Sequence, residues 1–331
     1  SSSSGSAVSS SPSSSSSSKS SSSRATSTSS PSPGGGKGPG VVKKRGEDSG
    51  ASDGPREKEE EEEENAEDDP RSRLIHLPLD LSSLSSVRSA ASLYRSWNLP
   101  LHVLINNAGL MTARRTTSVD GHELTMACNH LGHFLLTLEL LPLLRKVAAA
   151  AGEDENGGDG GGDARVVTVS SSTYALSSAE RGGMILDDLD CERRDYGMFA
   201  QYSQSKLANV LFGRELARRE TERFNSAAAT AAAAPVASHI LHPGLVRTDV
   251  VRNMPWYLYY PNGAFGVILA SLQKTPSAGA YTSVYCASSP ELIGRSGGYY
   301  VNSREERPEE CALDEAAGRR LWEISEKITV G

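Results

Sequence analysis

The sequence predicts an α/β fold in which a mostly parallel sheet carries helices on both faces. Short apolar runs alternate with amphipathic stretches four times between positions 73 and 248, the order expected of such a sheet. The run at 101–105 is almost uninterruptedly apolar, which is typical of a parallel strand buried on both faces. About 260 residues follow a polar N-terminal part, enough for one large domain.

The first 70 residues differ in composition from the rest of the chain. Serine runs come first, then a stretch rich in proline and glycine, then an acidic block at 59–64. Such a segment cannot bury enough apolar surface to offset its ordering entropy. We therefore expect a disordered tail over 1–70 and a domain over 71–331, with flexible low-complexity insertions near 148–163 and 225–237.

Charge and cysteine usage narrow the function. The net charge is −7, and the arginine pairs along the chain are short and separated, so no nucleic-acid partner is predicted. The cysteines are far apart and form no Cys-x-x-Cys motif. We interpret them as free thiols in a reducing compartment, with no metal site. They are Cys128, Cys191, Cys286 and Cys311.

No membrane span is predicted. The most apolar run, at 134–144, is too short and contains Glu139 and Pro142. The N-terminus has no apolar signal core. We expect a cytoplasmic location; the alternative is a compartment that the sequence does not identify.

The elements follow in order. A strand is predicted at 73–81, ending at Asp80, and a helix at 82–97, capped by Ser82 or Ser83. The strand at 101–105 leads into small and amide residues at 106–109, which suit a close approach of backbone to ligand.

Later elements alternate in the same way. A helix is predicted at 124–144, a strand at 165–169 that ends in three serines, and a helix at 198–219. A strand at 239–242 breaks at a Pro-Gly pair.

Tyr202 and Lys206 are the first candidate pair for chemistry. They are four residues apart on a predicted helix, so they share one face. A nearby ammonium favours the phenolate and is expected to lower the pKa of the tyrosine, which suits proton exchange with an alcohol or carbonyl oxygen. Most such pairs are ordinary surface neighbours, so a catalytic role for Tyr202 and Lys206 needs support from other motifs in the chain.

Six motifs in a fixed order support the catalytic interpretation of this pair. The chain resembles the short-chain dehydrogenase/reductase family over roughly 73–331, and within it the retinol-dehydrogenase-like branch that includes WW-domain oxidoreductases. The motifs are Leu79-Asp80-Leu81, Asn106-Asn107-Ala108-Gly109, Asn129-His130-Leu131-Gly132, Val169-Ser170-Ser171, Tyr202 with Lys206, and His242-Pro243-Gly244 with Thr248.

The resemblance implies a Rossmann-like doubly wound fold and hydride transfer between NAD(P)(H) and an apolar alcohol or carbonyl compound. It implies that Tyr202 exchanges the proton, that Lys206 lowers the pKa of the phenol and binds the cofactor ribose, and that Ser171 hydrogen-bonds the substrate oxygen. Alternation lets only one of Ser170 and Ser171 face the site, and the resemblance implies Ser171, because the family places the reactive serine second in this pair. Asn129 would hold a relay water, or else cap a broken helical turn.

The resemblance also implies the cofactor contacts. Some of these contacts have a structural interpretation beside the functional one. Asp80 could end its strand or cap the next helix, and Pro243 and Gly244 could form a plain turn. The aromatic stretch at 251–265 would cover an apolar substrate. The implied contacts are Asp80, Leu81, Asn106, Asn107, Ala108, Gly109, Tyr202, Lys206, Pro243, Gly244, Val246 and Thr248.

One family feature is missing upstream of position 73, namely the strand, glycine-rich turn, helix and second strand that hold the pyrophosphate. Gly34, Gly38 and Gly40 match the glycine spacing, but a linker is the preferred interpretation. We therefore expect an incomplete N-terminal strand-helix-strand unit. The residues that separate NAD from NADP are not readable, and the resemblance favours NADP slightly.

Two explanations stay open. The sequence is truncated or misassembled, which the intact catalytic motifs favour, or it is a true variant that cannot bind cofactor normally. The rival function is a cofactor-free remnant that acts as an interaction protein through its tail. A homodimer is expected by family analogy only.

Overall fold

A computed structural model describes residues 74–150, 163–177, 182–226, 234–244, 246 and 274–331. The predictions for the tail at 1–70, for the glycines at 34–40 and for the insertion over 151–162 lie outside these residues. So do the predictions for Thr248 and the aromatic stretch at 251–265.

A five-stranded sheet forms the centre of the described part. The strands are β1 (Val103–Asn106), β2 (Arg165–Val169), β3 (Ala237–His242), β4 (Tyr299–Val301) and β5 (Arg304–Glu306). They lie in the order β1-β2-β3-β4-β5; β1 to β4 are parallel and β5 is antiparallel. The α/β sheet predicted from the sequence is confirmed.

Helices cover both faces of this sheet. They are α1 (Leu84–Ser96), α2 (Leu124–Met126), a π-helical turn (Ala127–Leu131), α3 (Gly132–Ala150), α4 (Met198–Ser226), α5 (Pro276–Ser288) and α6 (Glu315–Thr329). Short 3₁₀ turns occur at Ser172–Ser177, Pro290–Leu292 and Glu310–Ala312.

Alternation along the strands divides the core between the two faces. Val166 packs with Phe134 of α3 and Trp322 of α6, whereas Val167 packs with Leu241 and with Cys286 of α5. Helices α3, α4 and α6 therefore cover one face and α5 the other. None of the helices in the described ranges has the length and apolarity needed to cross a bilayer.

Several predicted boundaries change. The helix predicted at 82–97 is α1, and Ser83 rather than Ser82 caps it by accepting from the Ser86 amide. The helix predicted at 124–144 continues to Ala150 and contains a π-helical turn. The helix predicted at 198–219 continues to Ser226.

The strand predicted at 73–81 is wrong for the described residues 74–81, which form no strand. Leu74 and Ile75 are 78% and 63% exposed. A strand needs a neighbour for its backbone groups, and within the described ranges no strand pairs with this segment. Ile105 of β1, predicted to be buried, is 43% exposed because β1 is the edge strand of the described sheet.

The cysteines are free, as predicted, and all four are buried. Burial raises the pKa of Cys128 and of Cys286 to about 12, and it also raises the pKa of Cys191 and Cys311.

Candidate active site

Tyr202 and Lys206 lie side by side on α4, as their spacing requires. The Lys206 ammonium is 5.6 Å from the centroid of the Tyr202 ring. Lys206 is only 3% exposed, whereas Tyr202 is partly exposed. Lys206 Nζ donates a hydrogen bond of 3.1 Å to the Val169 carbonyl at the end of β2, so the cation lies beneath the phenol at the carboxyl edge of the sheet.

The pKa values in this pair differ from the sequence-based expectation. Burial raises the pKa of Tyr202, and the Ser171 side chain, acting as a hydrogen-bond partner, opposes that rise. Burial also lowers the pKa of Lys206 to about 8. The pKa of Tyr202 is therefore raised and not lowered as expected, because desolvation of the phenol outweighs its hydrogen bond with Ser171.

Ser170 and Ser171 have different environments. Ser170 is buried, and its hydroxyl donates to the Lys206 carbonyl at 2.7 Å, which ties β2 to α4. Ser171 is partly exposed, next to Tyr202, and accepts from the Thr173 amide at 3.3 Å. Of the two hydroxyls, the one of Ser171 is available to a bound molecule.

Asn129 lies in the π-helical turn and is fully buried. Its Oδ1 accepts from the Leu110 amide at 2.8 Å, and its Nδ2 donates to the Leu110 carbonyl at 2.9 Å and to Ser205 Oγ at 3.0 Å. The His133 ring nitrogen Nδ1 donates to the Asn129 carbonyl at 3.1 Å. The amide thus fixes the loop after β1 against α4.

The four residues after the β1 apolar run divide into two groups. Asn106 is buried, and its Nδ2 donates to Thr137 Oγ1 at 2.9 Å, so its side chain supports the core. Asn107, Ala108 and Gly109 are exposed. A Cβ on Gly109 would lie 3.3 Å from both Lys206 Nζ and Asn129 Oδ1. The backbone here closely approaches the ammonium without any side chain in between.

Asp80 and Leu81 lie in the turn before α1. The Asp80 carboxylate accepts from the Ser82 hydroxyl at 2.7 Å and from the Ser82 amide at 2.9 Å, and these hydrogen bonds lower its pKa. The Leu81 carbonyl packs against Gly132, where a Cβ would lie 2.5 Å from the oxygen. Asp80 therefore forms a turn with Ser82; it neither ends a strand nor caps α1, which Ser83 caps. Its contact with a cofactor stays a prediction.

The turn after β3 brings Pro243 and Gly244 to Lys274. Gly244 has φ +92°, a conformation that favours glycine. Lys274 Nζ donates to the Pro243 carbonyl at 3.3 Å and to Asn302 Oδ1 at 2.6 Å. Val246 pairs with Lys274 in an isolated parallel bridge. Lys274 was not predicted from the sequence, because no local pattern connects it to a turn about thirty positions earlier.

Known proteins similar in sequence to this chain identify its family. A sequence model described as short chain dehydrogenase matches residues 44–180. Human "Retinol dehydrogenase 14" is 41% identical over 258 residues, which cover 78% of this chain and 67% of that protein. This chain belongs to the short-chain dehydrogenase family. The predicted resemblance to the retinol-dehydrogenase-like branch is confirmed.

Two further proteins are similar to this chain. Mouse "Polyprenol dehydrogenase" is 39% identical over 253 residues, covering 76% of this chain and 67% of that protein. A solved structure of an uncharacterized protein from Mycobacterium paratuberculosis has 30% identity and a TM-score of 0.50, with 76% of this chain and 74% of that chain covered. As a short-chain dehydrogenase, the chain is an NAD(P)-dependent oxidoreductase of alcohols or carbonyl compounds.

The residues of this short-chain dehydrogenase fit the nicotinamide end of such a cofactor. The backbone at Gly109 closely approaches Lys206 and Asn129 with no side chain in between, so a cofactor at this loop would meet a hydrogen-bond donor. The partly exposed Tyr202 and Ser171 lie on the same side of β2 as this ammonium.

Proposed function

We propose that this chain transfers a hydride between NAD(P)(H) and an apolar alcohol or carbonyl compound, with Tyr202 exchanging the proton. The observation that carries the proposal is the buried Lys206 ammonium beneath a partly exposed Tyr202 that has Ser171 beside it. Lysine is almost never fully buried unless it is paired, and groups with perturbed pKa values cluster at functional sites.

The substrate class is part of the same proposal. Two relatives are named for retinol and polyprenol, and both compounds are apolar alcohols. An apolar alcohol, or the corresponding carbonyl compound, is the substrate class that this similarity supports. Whether NAD or NADP is preferred, and whether two copies pair, stay predictions from the family resemblance.

The chain's own residues would handle the proton. In carbonyl reduction, the Tyr202 phenol gives its proton to the substrate oxygen while the O–H bond of the phenol breaks. Ser171 donates a hydrogen bond to that oxygen as negative charge develops on it. A nicotinamide cofactor, when bound, would supply the hydride for this reduction and would accept it in alcohol oxidation, in which Tyr202 takes back the proton.

Lys206 and Asn129 would assist the proton transfer without contacting the substrate. The ammonium would stabilise the phenolate that the reaction leaves on Tyr202 and would donate to the cofactor ribose. Asn129 would keep the loop at 107–110 against the ammonium through its bonds to Leu110. Asn107, Ala108, Gly109, Pro243 and Gly244 would contact the cofactor through their backbone.

Nucleotide binding by the purified full chain tests this proposal. A ligand that binds only the folded state raises the melting temperature, so NADPH or NADH should do so. If neither nucleotide stabilises the protein, the oxidoreductase proposal fails and the cofactor-free interaction protein becomes the better explanation.

The variant Tyr202→Phe then tests the proton step. Turnover of an apolar aldehyde should fall by about 10² to 10⁴, with nucleotide binding unchanged because the ring and Lys206 remain. Tyr281→Phe is the control, since Tyr281 is an exposed tyrosine on α5. Equal turnover by Tyr202→Phe and the control would contradict the role of this phenol.

A further inference from the structure

The residue before Tyr202 has a buried side chain with an unusual set of partners. Gln201 is 1% exposed, although Phe199 and Ala200 beside it are exposed. Its Nε2 donates to the Glu123 carboxylate and to the Leu189 carbonyl, both at 2.9 Å, and its Oε1 accepts from Arg194 at 2.5 Å. Every polar group of this amide is therefore in use.

Its partner Glu123 begins the helical segment that carries Asn129. The Glu123 carboxylate is fully buried and accepts from the backbone amides of Thr125 at 2.9 Å and Met126 at 2.8 Å. It caps α2, which continues directly into the π-helical turn that contains Asn129. The bond from Gln201 to Glu123 thus joins the start of that segment to the first turn of α4.

A second bond joins the same two segments one turn further along α4. Asn129 Nδ2 donates to Ser205 Oγ, next to Lys206. Gln201, next to Tyr202, connects the end of the first turn of α4, and Ser205, next to Lys206, connects the second turn. These two bonds hold this part of α4 against the Asn129 segment.

We propose that Gln201 is a positioning residue that sets the Tyr202 phenol relative to Asn129 and Lys206 through its bond to the Glu123 carboxylate. This inference rests on the function proposed above. Small displacements of a reacting group can lower the rate by orders of magnitude, so loss of this bond should affect the proton step more than cofactor binding.

Gln204 provides a matched control on the same helix. It is also a buried glutamine, and its amide makes two bonds of 2.8 Å to the loop before α4, one from the Ile185 amide and one to the Gly183 carbonyl. It makes no bond to Glu123 within the described residues. Gln201→Met and Gln204→Met thus both delete loop contacts, but only Gln201→Met cuts the connection to Glu123.

Kinetics on the full chain separate positioning from general stability. We expect Gln201→Met to lower kcat at least about tenfold and to leave the Kd for NADPH or NADH within about twofold. Gln204→Met should leave kcat within about twofold at a similar loss of Tm. In a Tyr202→Phe background, Gln201→Met should add little, because residues that act through one group are not additive.

A spectroscopic measurement tests the placement of the Tyr202 phenol independently of turnover. With ¹³C-labelled tyrosine, the Tyr202 resonance, assigned by its loss in Tyr202→Phe, should shift and titrate differently in Gln201→Met but not in Gln204→Met. An unmoved Tyr202 resonance would overturn the positioning role. Failure of the proposed function would appear separately, as absence of nucleotide binding by the wild-type chain. If Gln201→Met is insoluble, Gln201→Asn replaces it in the same comparison.

Discussion

At the residue scale, two adjacent serines show how position along a strand end decides a role. Ser170 faces α4 and its hydroxyl donates a hydrogen bond to the Lys206 carbonyl, whereas Ser171 stays accessible beside Tyr202. The two side chains are chemically identical, so any difference between their alanine variants has to come from placement.

Ser171→Ala should lower kcat by about a hundredfold, because one hydrogen bond to the developing charge is lost, with the free energy of unfolding almost unchanged. Ser170→Ala should do the reverse and lower the free energy of unfolding by about 1 kcal/mol through loss of a buried hydrogen bond. Urea unfolding and steady-state kinetics on both variants measure this. A larger kcat loss in Ser170→Ala would exchange the two assignments.

Sequence reasoning succeeded for residue pairing and failed for residue electrostatics. The spacing of Tyr202 and Lys206 was sufficient to predict that they share a face, because helix geometry fixes it. The sign of the Tyr202 pKa shift was not predictable, because it depends on burial contributed by β2 and the loop after β1. The bonds of Gln201 and Lys274 were also missed, since both join segments far apart in the sequence.

At the element scale, the π-helical turn interrupts what the sequence presents as one helix at 124–144. Glu123 caps α2 directly before the turn, His133 Nδ1 donates to the Asn129 carbonyl within it, and Gly132 packs against the Leu81 backbone directly after it. The turn is therefore held by contacts from both sides.

Two glycine-to-alanine substitutions compare a closely packed glycine in α3 with a loosely packed one in α6. In Gly132→Ala the new Cβ would lie 2.5 Å from the Leu81 carbonyl oxygen, and backbone cannot move aside cheaply, so we expect a loss of about 1–3 kcal/mol in the free energy of unfolding. Gly318 in α6 has its nearest neighbour at 3.7 Å, so Gly318→Ala should gain up to about 1 kcal/mol.

Urea denaturation of both glycine variants distinguishes these effects. Equal stability changes would mean that helix propensity, and not contact with Leu81, determines the outcome at Gly132.

Prediction of whole elements succeeded where the pattern was long or uninterrupted. The strand β2 was predicted at its observed bounds, and α1 and α4 at their observed starts within two residues. The strands β4 and β5 were missed because each has three residues, too few for a periodic signal. The segment at 74–79 has a strand-like pattern, but pairing with a neighbour determines whether a strand forms, and pattern alone cannot show that.

At the scale of the whole molecule, buried histidines link stability to pH. Burial lowers the pKa of His130 to about 3, and that of His133, His239 and His242 to about 4. Below pH 6.5 the unfolded chain binds protons that these folded rings do not. The stability present above pH 6.5 is therefore lost as the pH falls towards 4.

His239→Phe should flatten this pH dependence. Both ring nitrogens of His239 lack hydrogen-bond partners within the described residues, and the ring packs edge-on against Tyr300, so phenylalanine loses no bond. The free energy of unfolding should fall less between pH 7.5 and pH 5 in the variant, by about 2 kcal/mol. Urea titrations at the two pH values measure it.

His122 provides a control of opposite sign. Its bond to Asp190 raises the pKa of His122, so this contact stabilises the fold below pH 6.5 and is lost as the pH rises through the raised value. His122→Asn should therefore steepen the acid loss. If His239→Phe also steepens it, the buried-histidine explanation is wrong.

The buried cysteines have a practical consequence for labelling. Since the thiolate is the species that alkylating reagents attack, thiols that are buried and reluctant to ionise should react slowly while the chain stays folded. A single cysteine introduced on the surface would then take up a maleimide dye against a low background, with no need to remove the native ones first.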